Sequence, residues 1–180
     1  AMLPKRRDAI FNLLDAISSF AHHCKSVVQL SQAPCFERQY SSITDAIADG
    51  LSAADWAAIS RLTRQYLSPP EEKVPPVFVV DCTPQPRPFA KKLADRTITH
   101  APNPAPGNKP VCVGHQYSVL AQLPSDKLSQ DKHWLAPVST LRVGSQQKGH
   151  EVGMQQLTDY LEAHDLKEKL VLSLGDSLYV

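Results

Sequence analysis

Asp81 and Asp176 each follow a short apolar run. Val77-Phe78-Val79-Val80 leads into Asp81-Cys82-Thr83, and Leu170-Val171-Leu172-Ser173-Leu174-Gly175 leads into Asp176-Ser177. Runs of this kind, bounded by turn-forming residues, read as buried strands. If the two strands lie side by side and parallel, their carboxylates emerge at one edge of one sheet, where a hard cation such as Mg2+ can be shared. That arrangement suits phosphate-ester chemistry. Taken singly, either aspartate has an equally ordinary use, which is to cap the turn that follows its strand.

The elements that must hold these acids are divided by proline. Thirteen of the fifteen prolines fall between Pro69 and Pro137, so the first third of the chain is free to be helical and the middle is not. Residues 5 to 30 carry Ile10, Leu13, Leu14, Ile17, Phe20, Val27 and Val28 at helical spacing, and 36 to 48 repeat the pattern with Phe36, Tyr40, Ile43 and Ile47. A third helix is expected from an N-cap at Ser52, with Trp56, Ile59, Thr63 and Tyr66 on one face and Ser68-Pro69-Pro70 as its stop. From Val74 the period changes to that of strands. Val77 to Val80, Val111 to Leu123 and Leu135 to Val143 are strand candidates, with Pro137 at a strand entry and an irregular loop over 101 to 110. Met154, Leu157, Leu161 and His164 then mark a helix face, and Lys169 to Leu174 returns to strand.

The reading is therefore a helical N-terminal domain over 1 to 70 and a β-β-β-α-β domain over 71 to 180. Three successive strands without helices should pair antiparallel, and the helix after the third permits a crossover that lays the fourth parallel to the first. A fourth strand beside the first brings Asp176 next to Asp81. This is the layout of the ribonuclease-H-like fold, so the fold class is α/β of the α+β kind, with a helical unit followed by an incomplete ribonuclease-H-like domain.

Composition narrows the function classes. With 42% hydrophobic and 21% charged residues the chain has the balance of a soluble globular protein, no apolar stretch approaches a membrane span, and Lys5-Arg6-Arg7 opens an amphipathic segment rather than a secretory signal. A cytoplasmic protein without membrane partners is expected. Cys24, Cys35, Cys82 and Cys112 form no CxxC pair, which suggests reduced structural thiols rather than a zinc ribbon or a disulfide scaffold. A net charge of +1 does not announce a nucleic-acid binder, so any such role must come from local clustering, and the clearest cluster is Arg87, Lys91, Lys92 and Arg96, offset by Asp95. His115 and Tyr117 share a face of the second strand by alternation, which puts both within reach of a site beside the first strand, although tyrosine at such a position is more often core. His22 and His23 have no partner spacing that suggests a metal site.

Several stretches together resemble a family. Asp81-Cys82-Thr83-Pro84-Gln85-Pro86-Arg87-Pro88-Phe89-Ala90, Leu93-Ala94-Asp95-Arg96, Gly114-His115-Gln116-Tyr117-Ser118, Trp134-Leu135-Ala136-Pro137-Val138-Ser139 and Gly175-Asp176-Ser177-Leu178-Tyr179 are similar to the catalytic region of bacterial insertion-sequence transposases of the DDE superfamily. The resemblance spans roughly residues 74 to 180. It implies Mg2+ or Mn2+ as cofactor, two ions in the complete enzyme, with Asp81 bridging both and Asp176 holding one. It also implies double-stranded DNA at transposon ends as partner. The position of Arg87, Lys91, Lys92 and Arg96 directly after the first acid, and of His115 on the neighbouring strand, suggests contacts to its phosphates, and exposed strand edges suggest a homo-oligomer.

The family's third acid has no counterpart among these 180 residues, so a fragment truncated within the catalytic domain is expected, poor in strand cleavage and prone to associate through uncovered residues such as Leu172 and Leu174. Two other readings stand beside it. A haloacid-dehalogenase-type phosphatase also places an Asp after a strand and a Gly-Asp pair after a later one, but calls for Asp where this chain has Thr83. A non-catalytic DNA-binding or assembly fragment would rely on the helical unit, with Lys5, Arg6, Arg7, Arg61 and Arg64 as phosphate contacts.

Overall fold

The computed structural model describes residues 1–19, 26–67, 74–100, 110–124 and 134–176. Phe20, His22, His23, Cys24, the Ser68-Pro69-Pro70 stop, nearly all of the proline-rich loop and Ser177 onward lie outside the described residues. Two compact units divide the chain, Ala1–Ile59 and Ser60–Val180.

The first unit is helical. α1 (Arg7–Ser19), the short α2 (Val27–Leu30) and α3 (Tyr40–Asp45) are followed by a π-helical turn, Ala46–Leu51, that continues α3 without a break. α1 buries Ala9, Ile10, Leu13 and Ala16, while Leu14 and Ile17 of the expected stripe are exposed. Leu13 and Ala16 pack with Ala33, Phe36 and Ile43, and Ile10 packs with Ala46. Arg6 is tied to Asp45 and Asp49 at 3.5 and 3.7 Å, and Arg7 lies 3.9 Å from Asp8. α4 (Trp56–Tyr66) begins in this unit, continues into the second from Ser60, and is capped by Asp55, whose Oδ1 accepts the Ala58 N–H at 2.9 Å. The expected cap at Ser52 is not used, because its hydroxyl donates back to the Ala48 carbonyl at 2.6 Å and so belongs to the preceding helical turn.

The second unit holds a mixed five-stranded sheet: β1 (Val77–Pro86), β2 (Thr97–His100), β3 (Val111–Gln122), β4 (Ala136–Val143) and β5 (Leu172–Leu174), with α5 (Gly149–Ala163) between β4 and β5. β3 lies antiparallel to β1 on one side. On its other side it pairs antiparallel with β2 through residues 111–114 and with β4 through 116–122, so β2 and β4 share one edge. β5 pairs parallel with the far side of β1. Apart from β2, which the sequence reading did not include, this is the three-antiparallel-plus-one-parallel order of a ribonuclease-H-like sheet.

Alternation along β1 settles which face is covered. Phe78 and Val80 are buried and pack with Leu120, Leu157, Tyr160 and Leu166 under α5, with the Phe78 and Tyr160 rings edge to face at 5.6 Å. The odd-numbered residues Val77, Val79 and Asp81 fall on the opposite face. α5 presents Gly153, Gln156, Leu157 and Tyr160 to the core, and Met154 of the expected stripe is exposed. Gln156 can be buried because it is satisfied: Oε1 accepts the Ser118 hydroxyl at 2.8 Å and Nε2 donates to Ser139 Oγ at 2.8 Å, which ties the helix to β3 and β4. α5 ends in a Schellman motif. The Leu166 N–H reaches the Leu161 carbonyl at 2.9 Å, Asp165 adopts φ 55° at the position after the cap, and Leu166 is buried beneath the turn. The chain is thereby reversed toward β5.

His164 at this turn lies on the Tyr160 ring at 4.3 Å and against Ser60 Oγ at 3.2 Å, and its carbonyl accepts from Arg64. Burial, then the charges of Arg64 and Arg61, lower its pKa from the ordinary 6.5, against a smaller opposing effect of Asp165. A histidine held neutral in the folded state contributes stability that is intact above the unfolded pKa. That contribution is lost as pH falls from about 6.5 to the lowered folded value, because the unfolded chain protonates first. Urea melts at pH 7.5 and 5.5 should show lower stability at the acid end, and His164→Gln should reduce the difference. An unchanged difference in the variant would remove His164 from this role.

Candidate active site

β1 does not stop at Asp81. It continues for five more residues because β3 pairs with it as far as Pro86↔Gly114. Two prolines are tolerated there for a directional reason. Val77 accepts from Leu123 and the Arg87 N–H donates to Val113, so the odd-numbered backbone groups of this segment face β3, while Pro76 accepts from Leu172 on the β5 side. Pro84 and Pro86 share the parity of Pro76, and the β1–β5 ladder ends at Val79↔Leu174. Their missing N–H groups thus point to an edge with no ladder to complete.

That same ladder positions the two acids. Its pairs are Val77↔Leu172, Phe78↔Ser173 and Val79↔Leu174. Asp81 and Asp176 each come two residues after the last pair, level with one another where the parallel strands part. Both are exposed. Asp81 Oδ1 accepts the Cys82 N–H at 2.7 Å, which fixes one carboxylate oxygen beside the backbone. On the other face, Cys82 meets the start of α5, where a Cβ on Gly149 would lie 2.6 Å from its Sγ. The strand carrying Asp81 is therefore backed by the helix, while Asp81, Thr83 and Gln85 on its other face are exposed.

The donors fit a hard cation in kind, since two carboxylates with water and substrate oxygens are a usual Mg2+ set. Among the described residues no group of three or more His, Cys, Asp or Glu side chains is gathered closely enough to hold a metal. Cys35, Cys82 and Cys112 are in no disulfide.

Arg87, Lys91, Lys92 and Arg96 occupy the connection from β1 to β2. The first three are exposed and Arg96 is half-buried. The connection is built from successive turns, Ala90 N–H to Arg87 O, Lys91 N–H to Phe89 O and Leu93 N–H to Ala90 O, and the Arg96 guanidinium donates to the Lys91 carbonyl at 3.2 Å. Its far end is clamped. Asp95 accepts from the Ser145 N–H at 3.1 Å and pairs with Arg142 at 2.8 Å, and these hydrogen bonds, with Arg142 and His115 adding to them, hold the Asp95 pKa below the ordinary 3.8. In the sequence Asp95 stands as an offset to the four cations, but its carboxylate is committed to β4 and the turn after it.

His115 and Tyr117 do share a face of β3, with rings edge to face at 6.4 Å. That face is the one bearing Asp81, because Tyr117 is opposite Thr83 and His115 opposite Gln85. His115 is thus four residues along β1 from Asp81, about 13 Å away at strand rise. Its Nε2 lies 3.0 Å from the Ala94 carbonyl, so that nitrogen must carry the proton, and the ring fastens the basic connection to β3. Neither the Asp95 clamp nor this anchoring role has a local signature in the sequence, since each joins residues at least twenty positions apart.

The structure is a helical unit followed by a mixed sheet of the ribonuclease-H-like class, with Asp81 and Asp176 each two residues past the last pair of the parallel strands β1 and β5, the latter at the sheet edge. The chain belongs more particularly to the DDE superfamily endonucleases, whose family model matches residues 1–171 and so includes the helical unit. This membership carries a nuclease or transposase type of function and DNA as the class of substrate. No curated protein and no solved structure gives a significant match. Among the described residues no helix is long and apolar enough to cross a membrane.

Proposed function

We propose that the protein acts in metal-dependent cleavage and strand transfer of DNA at the ends of a mobile element, with Asp81 and Asp176 as the carboxylates that hold the divalent cation. The observation that carries this reading is the β1–β5 register, which ends two residues before both acids. Bound there, Mg2+ or Mn2+ supplies positive charge where negative charge develops on the phosphoryl oxygens. Asp81, with one oxygen fixed by the Cys82 N–H, keeps the other for the ion, and Asp176 contributes the second formal charge. Arg87, Lys91, Lys92 and Arg96 neutralise backbone phosphates and set the duplex in register without reading its bases, while His115 enters through its bond to Ala94, which holds that connection in place. Leu172 and Leu174, 47% and 56% exposed on the edge strand, are available to a second copy in an assembly that joins two DNA ends.

The phosphatase alternative is disfavoured by two features. β3 lies between β1 and β4 and is antiparallel to both, and the position two residues after Asp81 is Thr83.

Mn2+ titration followed by paramagnetic broadening of backbone amide signals tests the reading. Broadening should centre on residues 79–82 and 174–176 and be reversed by excess Mg2+. Broadening centred elsewhere, or metal-dependent plasmid nicking that survives Asp176→Ala, would overturn it.

A further inference from the structure

Phe89 is 92% exposed, the most exposed of the large apolar side chains among the described residues. It sits between Arg87 on one side and Lys91 and Lys92 on the other, in a connection that is held rather than loose. Turn hydrogen bonds brace it at Ala90, Lys91 and Leu93, the Arg87 N–H donates to Val113, and the Asp95 clamp and the His115–Ala94 bond secure its end. The one acid in the segment is taken up by Arg142 and Ser145, so the cations around the ring keep their charge for an external anion. An aromatic ring exposed among cations on a braced backbone offers a π-face for stacking and positive charge for the adjacent phosphates. Those are the two components by which proteins hold unpaired nucleotides.

Resting on the DNA reading above, we infer that Phe89 is a stacking platform for an unpaired or extruded base of the DNA substrate, with Arg87, Lys91 and Lys92 on the flanking phosphates. This subsite is separate from the acid pair. Five residue steps along β1, about 17 Å, separate Asp81 from Pro86, where the strand ends and the connection begins. A smooth duplex buries its base faces in the stack and offers Phe89 nothing. A flap, a gap or a distorted end does. The inference thus makes the preferred ligand a duplex with an unpaired nucleotide.

The test compares a perfect duplex with the same duplex carrying a short unpaired flap that contains 2-aminopurine, using the full chain with Phe89→Ala, Phe89→Leu, Phe89→Trp and the double variant Lys91→Glu/Lys92→Glu. Phe89 is exposed enough that its substitutions should leave the melt unchanged. The unmodified chain should bind the flap more tightly and quench 2-aminopurine. Phe89→Ala and Phe89→Leu should lose about tenfold on the flap, the size of one base–aromatic stack, and bind the perfect duplex as before. Phe89→Trp should keep the preference, and its indole emission should fall when the flap binds. The double charge reversal should weaken both DNAs together. Equal affinity of the unmodified chain for flap and duplex, or a preference retained by Phe89→Leu, would overturn the stacking inference and leave the DNA reading intact. Absence of binding to either DNA would overturn both.

Discussion

Asp81→Asn should reduce divalent-cation affinity by at least about a hundredfold, because it removes one of two formal charges and substitutes an amide that cannot bridge ions as a carboxylate does. The size follows from comparison with indirect effects. Loss of a group that merely hydrogen-bonds a metal ligand costs about 10- to 100-fold in affinity, so loss of a ligand itself should cost no less. The variant is also a clean one for folding. Asp81 is exposed, and the Asn side-chain oxygen can still accept the Cys82 N–H, so the melt should not move. Calorimetric titration of Mg2+ and Mn2+ into both proteins measures the effect, with any DNA cleavage followed in parallel. Unchanged affinity in a folded Asp81→Asn chain would show that the cation is held elsewhere. Asp176→Asn should be as damaging if the two acids share one ion, and an effect confined to Asp81 would separate them.

The sequence made some of this site legible and hid the rest for identifiable reasons. Val77 to Val80 and Val171 to Leu174 read as buried strands and the helix before the second permits a crossover, so the parallel neighbour relation followed from local pattern and connection length, but β5 is exposed because it lies at the sheet edge with only β1 beside it. The extension of β1 through Pro84 and Pro86 did not. Whether a proline is tolerated depends on which neighbour its missing N–H would have faced, and that is a property of the assembled sheet. The α1 and α5 stripes were displaced for a related cause. Leu14, Ile17 and Met154 fit the helical period, yet small or satisfied residues such as Ala16, Gly153 and Gln156 lie inward, the last because Ser118 and Ser139 complete its hydrogen bonds. β2 is only four residues long, and its pairing with Val111–Gly114 gives no periodicity to detect. Asp95 shows the limit most clearly. It sits four residues from Lys91 in sequence, but its chemistry is decided by Arg142 and Ser145, roughly fifty positions away.

Gly114→Ala should destabilise the sheet-containing unit by about 3 kcal/mol, at the upper end of what overpacking produces. A Cβ at this position would lie 2.2 Å from the Gln85 carbonyl oxygen and 3.0 Å from the Arg87 nitrogen. Both are backbone atoms, so no rotamer change relieves the contact. β1 and β3 must separate where Pro86 pairs with Gly114 and where the Arg87 N–H reaches Val113 at 2.8 Å. That is also where the basic connection leaves the sheet, so the loss should reach function as well as stability. With β1 displaced, the Arg87 to Lys92 segment loses its anchor, and DNA affinity should fall even under conditions where the variant is still folded. Gly144→Ala is the matched control. Its added Cβ would meet Gln147 Oε1 at 2.9 Å, the end of a flexible side chain that can shift at the cost of the exposed hydrogen bond it accepts from the Gly144 N–H, and its melt should stay within about 1 kcal/mol of the unmodified protein. Urea midpoints for the two variants decide the matter. Equal midpoints would mean that the β1–β3 spacing at Gly114 is not the constraint that the Gly-His-Gln-Tyr-Ser segment answers.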